Sequence, residues 1–280
     1  MVATPSAFSP GSVTCFFSPR VEEVPENTYS RGLAINLSDG VVAALQPAAS
    51  LQTSLNGRPI DLPPVRHVAA ALAPEPVALH FETKLPLGCG LGVSAACALT
   101  AAFAIAKRYH LEKSRAELGL VAHIAEVVHR TGFGDVASQL CGGFVYRRCQ
   151  HGPLDSVPLS IPPERLYYRV FGELSTARIL NSASQVAAIA REGQKAIAWL
   201  QQILEHLTLD NVFTRSLDFA RAAGLLTDQR VATAIENVRA SGGSATMIML
   251  GHSVLSTLPI APEASWVACG VDMARTRCLP

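Results

Sequence analysis

Apolar and polar residues alternate along Val77-Ala78-Leu79-His80-Phe81-Glu82-Thr83-Lys84-Leu85, the period-two pattern of a strand with one buried face. Such a strand suits an antiparallel or mixed sheet better than a sheet covered on both sides. A glycine-rich turn follows, and then an alanine-rich run that reads as a helix to about Tyr109. Upstream, Ser9-Pro10-Gly11 signals a turn ahead of the β-rich run Val13 to Phe17. The apolar runs Leu33 to Leu37 and Val41 to Leu45 flank Ser38-Asp39-Gly40, which predicts a hairpin. Asn56-Gly57 marks another tight turn, and the stretch from Pro63 to Ala73 reads as a short helix.

Ser114 followed three residues later by Glu117 is a capping box, opening a helix that runs to about His129. Thr131 to Asp135 then forms a loop, Val136 to Leu140 a short helical piece, and Phe144 to Arg148 a strand after Gly142-Gly143. Pro158, Pro162 and Pro163 mark a lobe boundary. Beyond it come a strand from Tyr167 to Leu174 and helical patterns from Ser184 to about Leu207 and from about Asn211 to Ala240. Ser241-Gly242-Gly243-Ser244-Ala245 introduces an apolar run, Thr246 to Leu250, closed by Gly251. Strands and helices mix without a βαβ rhythm, so the expected class is α+β with two lobes, residues 1–160 and 161–280.

Composition narrows the function. With 280 residues, 49% hydrophobic and only 16% charged, the chain can bury a sizeable core and is not disordered. A net charge of +1 without long like-charged runs gives no footprint for nucleic acid or a membrane surface. The longest apolar run, Gly92 to Ala106, is shorter than the roughly 20 residues a membrane helix needs. Met1-Val2-Ala3-Thr4-Pro5 lacks a basic stretch followed by an apolar core, so no signal peptide is expected. The seven cysteines are odd in number and never spaced C-x-x-C, which reads as small buried hydrophobes in a reducing, cytoplasmic setting.

The densest chemistry lies in Pro86-Leu87-Gly88-Cys89-Gly90-Leu91-Gly92-Val93-Ser94-Ala95-Ala96. Glycines at alternate positions let several amides turn toward one point, and the helix start adds unpaired N–H groups and the positive end of its dipole. That is an anion site suited to phosphate; the alternative is a turn that only lets a helix pack closely. A Walker loop is ruled out, because Val93-Ser94 and not Lys-Ser/Thr follows Gly92. Gly90-x-Gly92-x-x-Ala95 does match the pattern of a dinucleotide-dependent oxidoreductase, with Glu112 the acidic residue further on. Glu112 nevertheless falls between two helices instead of at the end of a second strand.

Other candidates each carry a plain structural alternative. Asp135, between Gly134 and a short helix, reads as a helix N-cap or as a catalytic carboxylate. Glu126 is a solvated helix charge or an active carboxylate one turn from His123. A zinc site over His123, Glu126 and His129 is disfavoured because His129 rotates off that face.

Pro86 to Ala96 resembles the phosphate-binding motif P-x-x-x-G-L-G-S-S-A-A of the GHMP kinases, small-molecule kinases of the galactose, homoserine, mevalonate and phosphomevalonate type. Ser9-Pro10-Gly11-Ser12-Val13 resembles that family's N-terminal motif, and Ser241 to Gly251 its glycine-rich C-terminal one. Val93 stands where many members have a serine and Ser12 where many have a lysine. Ala7 to Phe17, Ser30-Arg31-Gly32, Thr131 to Val136 and Met247 to Gly251 are similar to the archaeal branch that phosphorylates pantoate.

The resemblance implies a two-lobed GHMP kinase fold of mixed sheets and helices with the nucleotide site between the lobes, ATP as phosphoryl donor, Mg²⁺, and a homodimer. By the same resemblance, Pro86, Gly88, Gly90, Leu91, Gly92, Val93, Ser94 and Ala95 bind nucleotide, and Ser94 with Glu126 holds Mg²⁺. Asp135 acts on the acceptor, with Ser94 and Glu126 counted beside it as catalytic. Arg147, matched to a substrate carboxylate, binds pantoate together with Ser30, His123 and Thr176. Three alternatives stay open: another hydroxyl acceptor of the homoserine, mevalonate or shikimate type, a nucleotide-binding regulator without catalysis, and the dinucleotide oxidoreductase.

Overall fold

Two antiparallel-dominated sheets with helices packed on them make up the computed structural model, which describes residues 5–162, 165–174 and 176–280. Pro163, one of the boundary prolines, lies outside the described residues. In chain order the first lobe contains β1 (Ser6–Arg20), β2 (Tyr29–Pro47), β3 (Gln52–Leu55), β4 (Arg58–Pro59), α1 (Pro63–Leu72) and β5 (Val77–Thr83). It continues with α2 (Val93–Tyr109), α3 (Arg115–Val128), α4 (Asp135–Cys141), β6 (Phe144–Arg147) and β7 (Ser156–Leu159). After these come β8 (Leu166–Gly172), α5 (Thr176–Leu180), α6 (Ala183–Gln202), α7 (Leu209–Ala222) and α8 (Gln229–Ala240). The chain closes with β9 (Ala245–Ile248), β10 (His252–Ser256), β11 (Val267–Cys269) and β12 (Arg277–Cys278).

The larger sheet runs β12-β1-β2-β5-β3-β4, and β6 pairs with the first half of β2 and carries β7. The smaller sheet runs β11-β8-β10-β9. Among the described residues only β3 and β5 pair in parallel, so the dinucleotide-binding alternative, which needs a central parallel sheet, is excluded. The last residues return to the first lobe: β12 pairs with β1, and Thr276 donates its amide to the Gln139 carbonyl at 3.0 Å.

Three local expectations change. No turn occurs at Ser9-Pro10-Gly11 and no hairpin at Ser38-Asp39-Gly40; both segments sit inside long strands. Pro10 faces Gly40 while Gly11 faces Leu37, so Ser38 and Asp39 are absorbed as a bulge between β1 and β2. The turn residues thus mark a kink where the two long strands bend over the glycine loop. In the third case the helical pattern from Asn211 to Ala240 is two helices, because Gly224 takes φ 67° just after α7.

Helix α2 is buried almost all round, from Ala95 to Ala106. Alanine makes this possible: its small side chain lets β1 and β2 on one side and α1, α3 and α4 on the other approach one helix closely. The predicted capping box at α3 is complete. Ser114 Oγ accepts from the Glu117 amide at 3.2 Å, and Glu117 Oε2 accepts from the Ser114 amide at 2.8 Å. Among the described residues no helix is long and apolar enough to cross a membrane, and all seven cysteines are free. Because the α3 cap lies at the far end of the helix from Glu126, Ser114→Ala is expected to lower unfolding free energy by about 1 kcal/mol. Chemical denaturation reads this directly, and an unchanged midpoint would show the cap to be idle.

Candidate active site

Tied-down carbonyls shape the glycine loop. The Gly88 carbonyl accepts from the Leu174 amide at 3.1 Å, and the Leu91 carbonyl from the Ser12 amide at 3.0 Å. Ser253 Oγ donates to the Cys89 carbonyl at 3.1 Å, and Gln139 Nε2 to the Gly92 carbonyl at 2.8 Å. The amides of Gly88, Gly90 and Gly92, in contrast, donate to no protein group among the described residues. All three residues have positive φ, 79°, 80° and 68°, with Gly92 the N-cap of α2. A Cβ on Gly90 would lie 2.5 Å from the Met249 carbonyl oxygen, so the β9–β10 turn rests directly on the loop. The loop therefore keeps free donors while its acceptors are used, which is the polarity an anion requires.

A pocket of about 750 Å³ opens at this loop, between the two sheets. Of the residues expected to bind nucleotide, Gly88, Gly90, Leu91, Gly92, Val93, Ser94 and Ala95 line it, while Pro86 does not. Glu126, Asp135, Arg147, Ser30 and Thr176 line it as well. His123 is absent from the lining: it is buried, and its Nε2 lies 2.8 Å from the carbonyl oxygen of Thr28, two residues before Ser30. Its place is under the strand that carries Ser30, and burial pulls its pKa below the usual histidine range.

Ser94, in the first turn of α2, donates from Oγ to Glu126 Oε1 at 2.6 Å. Glu126 is only 2% exposed, so it is no solvated helix charge. Burial pushes its pKa up to about 7, against the opposing pull of hydrogen bonds from Ser94 and Thr131. Asp135 is the first residue of α4, and the N-cap position belongs to Gly134, so the capping alternative does not hold. Burial raises the Asp135 pKa; the Arg147 guanidinium and the hydroxyls of Ser12 and Thr14 oppose that rise.

Arg147 is 1% exposed. Its Nη1 donates to Thr14 Oγ1 and to Ser138 Oγ, both at 3.1 Å, and Thr14 Oγ1 in turn lies 3.5 Å from Asp135 Oδ1. Among the described residues no carboxylate comes within ion-pair distance of this guanidinium. Its Nε has no partner, and neither does the buried hydroxyl of Ser30. Burial alone drives the Arg147 pKa down, and a buried cation of this kind is stabilised by any anion that enters.

Two glycines bring these groups together. A Cβ on Gly132 would sit 3.1 Å from Glu126 Oε2 and 3.5 Å from Asp135 Oδ2, and one on Gly134 only 2.9 Å from Arg147 Cζ. Sequence reasoning passed over both, together with the bridging hydroxyls of Thr14 and Ser138. Their only signal is indirect, a glycine on either side of Phe133 and two hydroxyls two residues apart in β1, Ser12 and Thr14.

Residues 64–143 match the GHMP kinases N terminal domain. Over the whole chain, the pantoate kinase of Thermococcus kodakarensis is 31% identical across 264 residues, covering 89% of this chain and 86% of that protein. The chain belongs to the GHMP kinase family. A second relative, the pantoate kinase of Methanospirillum hungatei, is 29% identical over 90% of this chain and 86% of its own length. Among solved structures, a phosphotransferase related to the CoA biosynthesis pathway superposes with a TM-score of 0.83 at 25% identity, covering 99% of both chains. The family brings with it ATP as phosphoryl donor and a hydroxyl as acceptor.

The buried Glu126 gives a pH signature independent of turnover. Its ionised form is disfavoured in the ligand-free fold, so stability is full below the ordinary carboxylate range and is lost as pH rises toward about 7. Glu126→Gln removes that loss, and its stability advantage over the parent is expected to grow from near zero at acid pH to at most about 3 kcal/mol above neutrality. Parallel melting curves at a series of pH values check this. Curves that stay equidistant would show that Glu126 does not titrate in that range.

Proposed function

We propose that this chain transfers the γ-phosphoryl group of ATP to the primary hydroxyl of pantoate, giving 4-phosphopantoate. The observation that carries the reading is the buried Arg147, without a carboxylate at ion-pair distance, in one pocket with Asp135 and the glycine loop. A guanidinium in that state favours an acceptor that brings its own carboxylate, as pantoate does. The two pantoate kinases to which the chain is similar over most of its length support the same acceptor.

The roles follow from the chemistry of each group. The free amides of the glycine loop and the start of α2 receive the nucleotide phosphates. Ser94 and Glu126 supply one hydroxyl and one carboxylate, a donor set that fits Mg²⁺ completed by phosphate oxygens and water. Bound there, the ion supplies positive charge to the triphosphate. Among the described residues no cluster of three His, Cys, Asp or Glu side chains offers a rival cage. Asp135 orients the acceptor hydroxyl and takes its proton as the new P–O bond forms and the bond to ADP breaks. Arg147 and Ser30 hold the carboxylate end, with Thr176 closing from α5, and His123 keeps the Ser30 strand in place. Positioning and fixed charges thus do most of the work. Free thiols and nucleotide chemistry support a cytoplasmic setting, and a homodimer remains the proposed assembly.

ATP consumption against a panel of hydroxy acids and alcohols tests the acceptor; no pantoate-dependent ADP release would refute it. Asp135→Asn is expected to lower kcat by about 10²–10⁴-fold while ATP affinity holds within a few-fold. Full activity in that variant would refute the role of Asp135. Arg147→Lys keeps the charge but loses the planar fork, so KM for the acceptor is expected to rise more than about tenfold with KM for ATP little changed. Equal effects on both constants would assign Arg147 to the fold rather than to the acceptor.

A further inference from the structure

Phe133 has a position that the reaction itself does not explain. It lies between Gly132, whose absent Cβ makes room for the carboxylates of Glu126 and Asp135, and Gly134, whose absent Cβ makes room for the Arg147 guanidinium. The backbone of Phe133 thus spans the interval between the charged groups at the two ends of the acceptor site. Its ring is not part of the main core. Together with Val127 at the end of α3 and Leu180 at the end of α5 it forms a small separate apolar cluster, and Phe133 and Leu180 both line the pocket. Arg130 fastens this corner: its Nη1 donates to Asn181 Oδ1 at 2.7 Å and to the Leu180 carbonyl at 3.4 Å, so α5 is held against the end of α3.

In the proposed pose, with the carboxylate on Arg147 and the reacting hydroxyl at Asp135, the middle carbons of the acceptor lie beside the wall formed by Phe133 and Leu180, which line the same pocket. Neither Phe133 nor Leu180 has a side-chain polar group, so a hydroxyl or ammonium there would lose its water without replacement. Alkyl branches lose nothing and gain contact. Pantoate carries two methyl groups on the carbon between its hydroxyl-bearing carbons, and in the proposed pose these are what the wall meets.

We propose that Phe133 and Leu180 are specificity residues for a geminally dimethylated hydroxy acid, selecting it over the unbranched 2,4-dihydroxybutanoate. The inference rests on the pantoate-kinase reading above. Burying two methyl groups in an apolar site is worth about 10- to 100-fold in kcat/KM. The full-length protein with ATP is therefore expected to prefer pantoate over 2,4-dihydroxybutanoate by that factor.

Phe133→Ala and Leu180→Ala are each expected to bring the ratio of the two kcat/KM values down several-fold, chiefly through the pantoate KM. Phe133→Leu, which trims less and keeps the site apolar, should give an intermediate ratio and stands in if Phe133→Ala does not fold. A ratio that survives all three substitutions overturns the proposal and leaves the pantoate reading standing. A parent protein that turns over both acids equally also overturns it. A parent protein that phosphorylates neither acid, but another acceptor of the panel, overturns the pantoate reading and this inference with it.

Discussion

The glycine loop of this molecule depends on the fastening of four of its carbonyls. Gly88, Cys89, Leu91 and Gly92 each hand their oxygen to a different part of the fold: the segment after β8, strand β10, strand β1 and helix α4. With these four acceptors spent, the loop presents mainly donors. The same bonds join the lobes, because Leu174 and Ser253 belong to the smaller sheet's half and Ser12 and Gln139 to the larger one's. The free donors of the loop and the arrangement of the lobes are therefore one constraint. The C-terminal strand extends it, since Thr276 grips the backbone of Gln139, whose side chain grips the loop.

How much of this was legible in the sequence depended on how local the cause was. The capping box of α3, the Asn56-Gly57 turn and the glycine loop are decided within a few residues, and each is found where expected. The segments Ser9 to Gly11 and Ser38 to Gly40 carry turn chemistry but form opposite sides of one bulge, because each strand has the other as partner. Only the pairing, remote in sequence, decides between a turn and a kink. Gly224 was the reverse case, a local break hidden inside a continuous helical pattern.

The site divides in the same way. Ser94, Glu126, Asp135 and Arg147 lie on separate elements yet line one pocket, and they were found because family resemblance encodes what spacing cannot. His123 was expected to bind the acceptor and does not line the pocket; a histidine one turn from Glu126 looks the same in sequence whether its ring points to the pocket or to the Thr28 carbonyl. Thr14, Ser138 and Gly134 were given no role in the site, since a hydroxyl in a strand or a glycine before a helix has dozens of ordinary uses. Their role exists only once β1, α4 and β6 come together around the guanidinium.

The electrostatics of the ligand-free pocket follow from that assembly. Two carboxyls and one guanidinium line one pocket, Glu126 and Arg147 buried and Asp135 half-buried, with no pair among them close enough to form a full ion pair, and all three are shifted by desolvation toward their neutral forms. Such an arrangement costs the empty fold stability, since buried charge without a partner is unfavourable. It is also the arrangement best able to respond to ligands. A cation at Ser94 and Glu126 would favour the ionised carboxylate, and an anionic acceptor at Arg147 would favour the guanidinium, so each charged ligand repairs a defect that the protein maintains. In the proposed roles, that same acceptor charge on Arg147 would weaken the pull of the guanidinium on Asp135 and make its carboxylate a stronger base. Occupancy of one end of the proposed acceptor site would thus prepare the other end for proton removal. The bridging hydroxyl of Thr14, within reach of both, is the shortest path for that coupling.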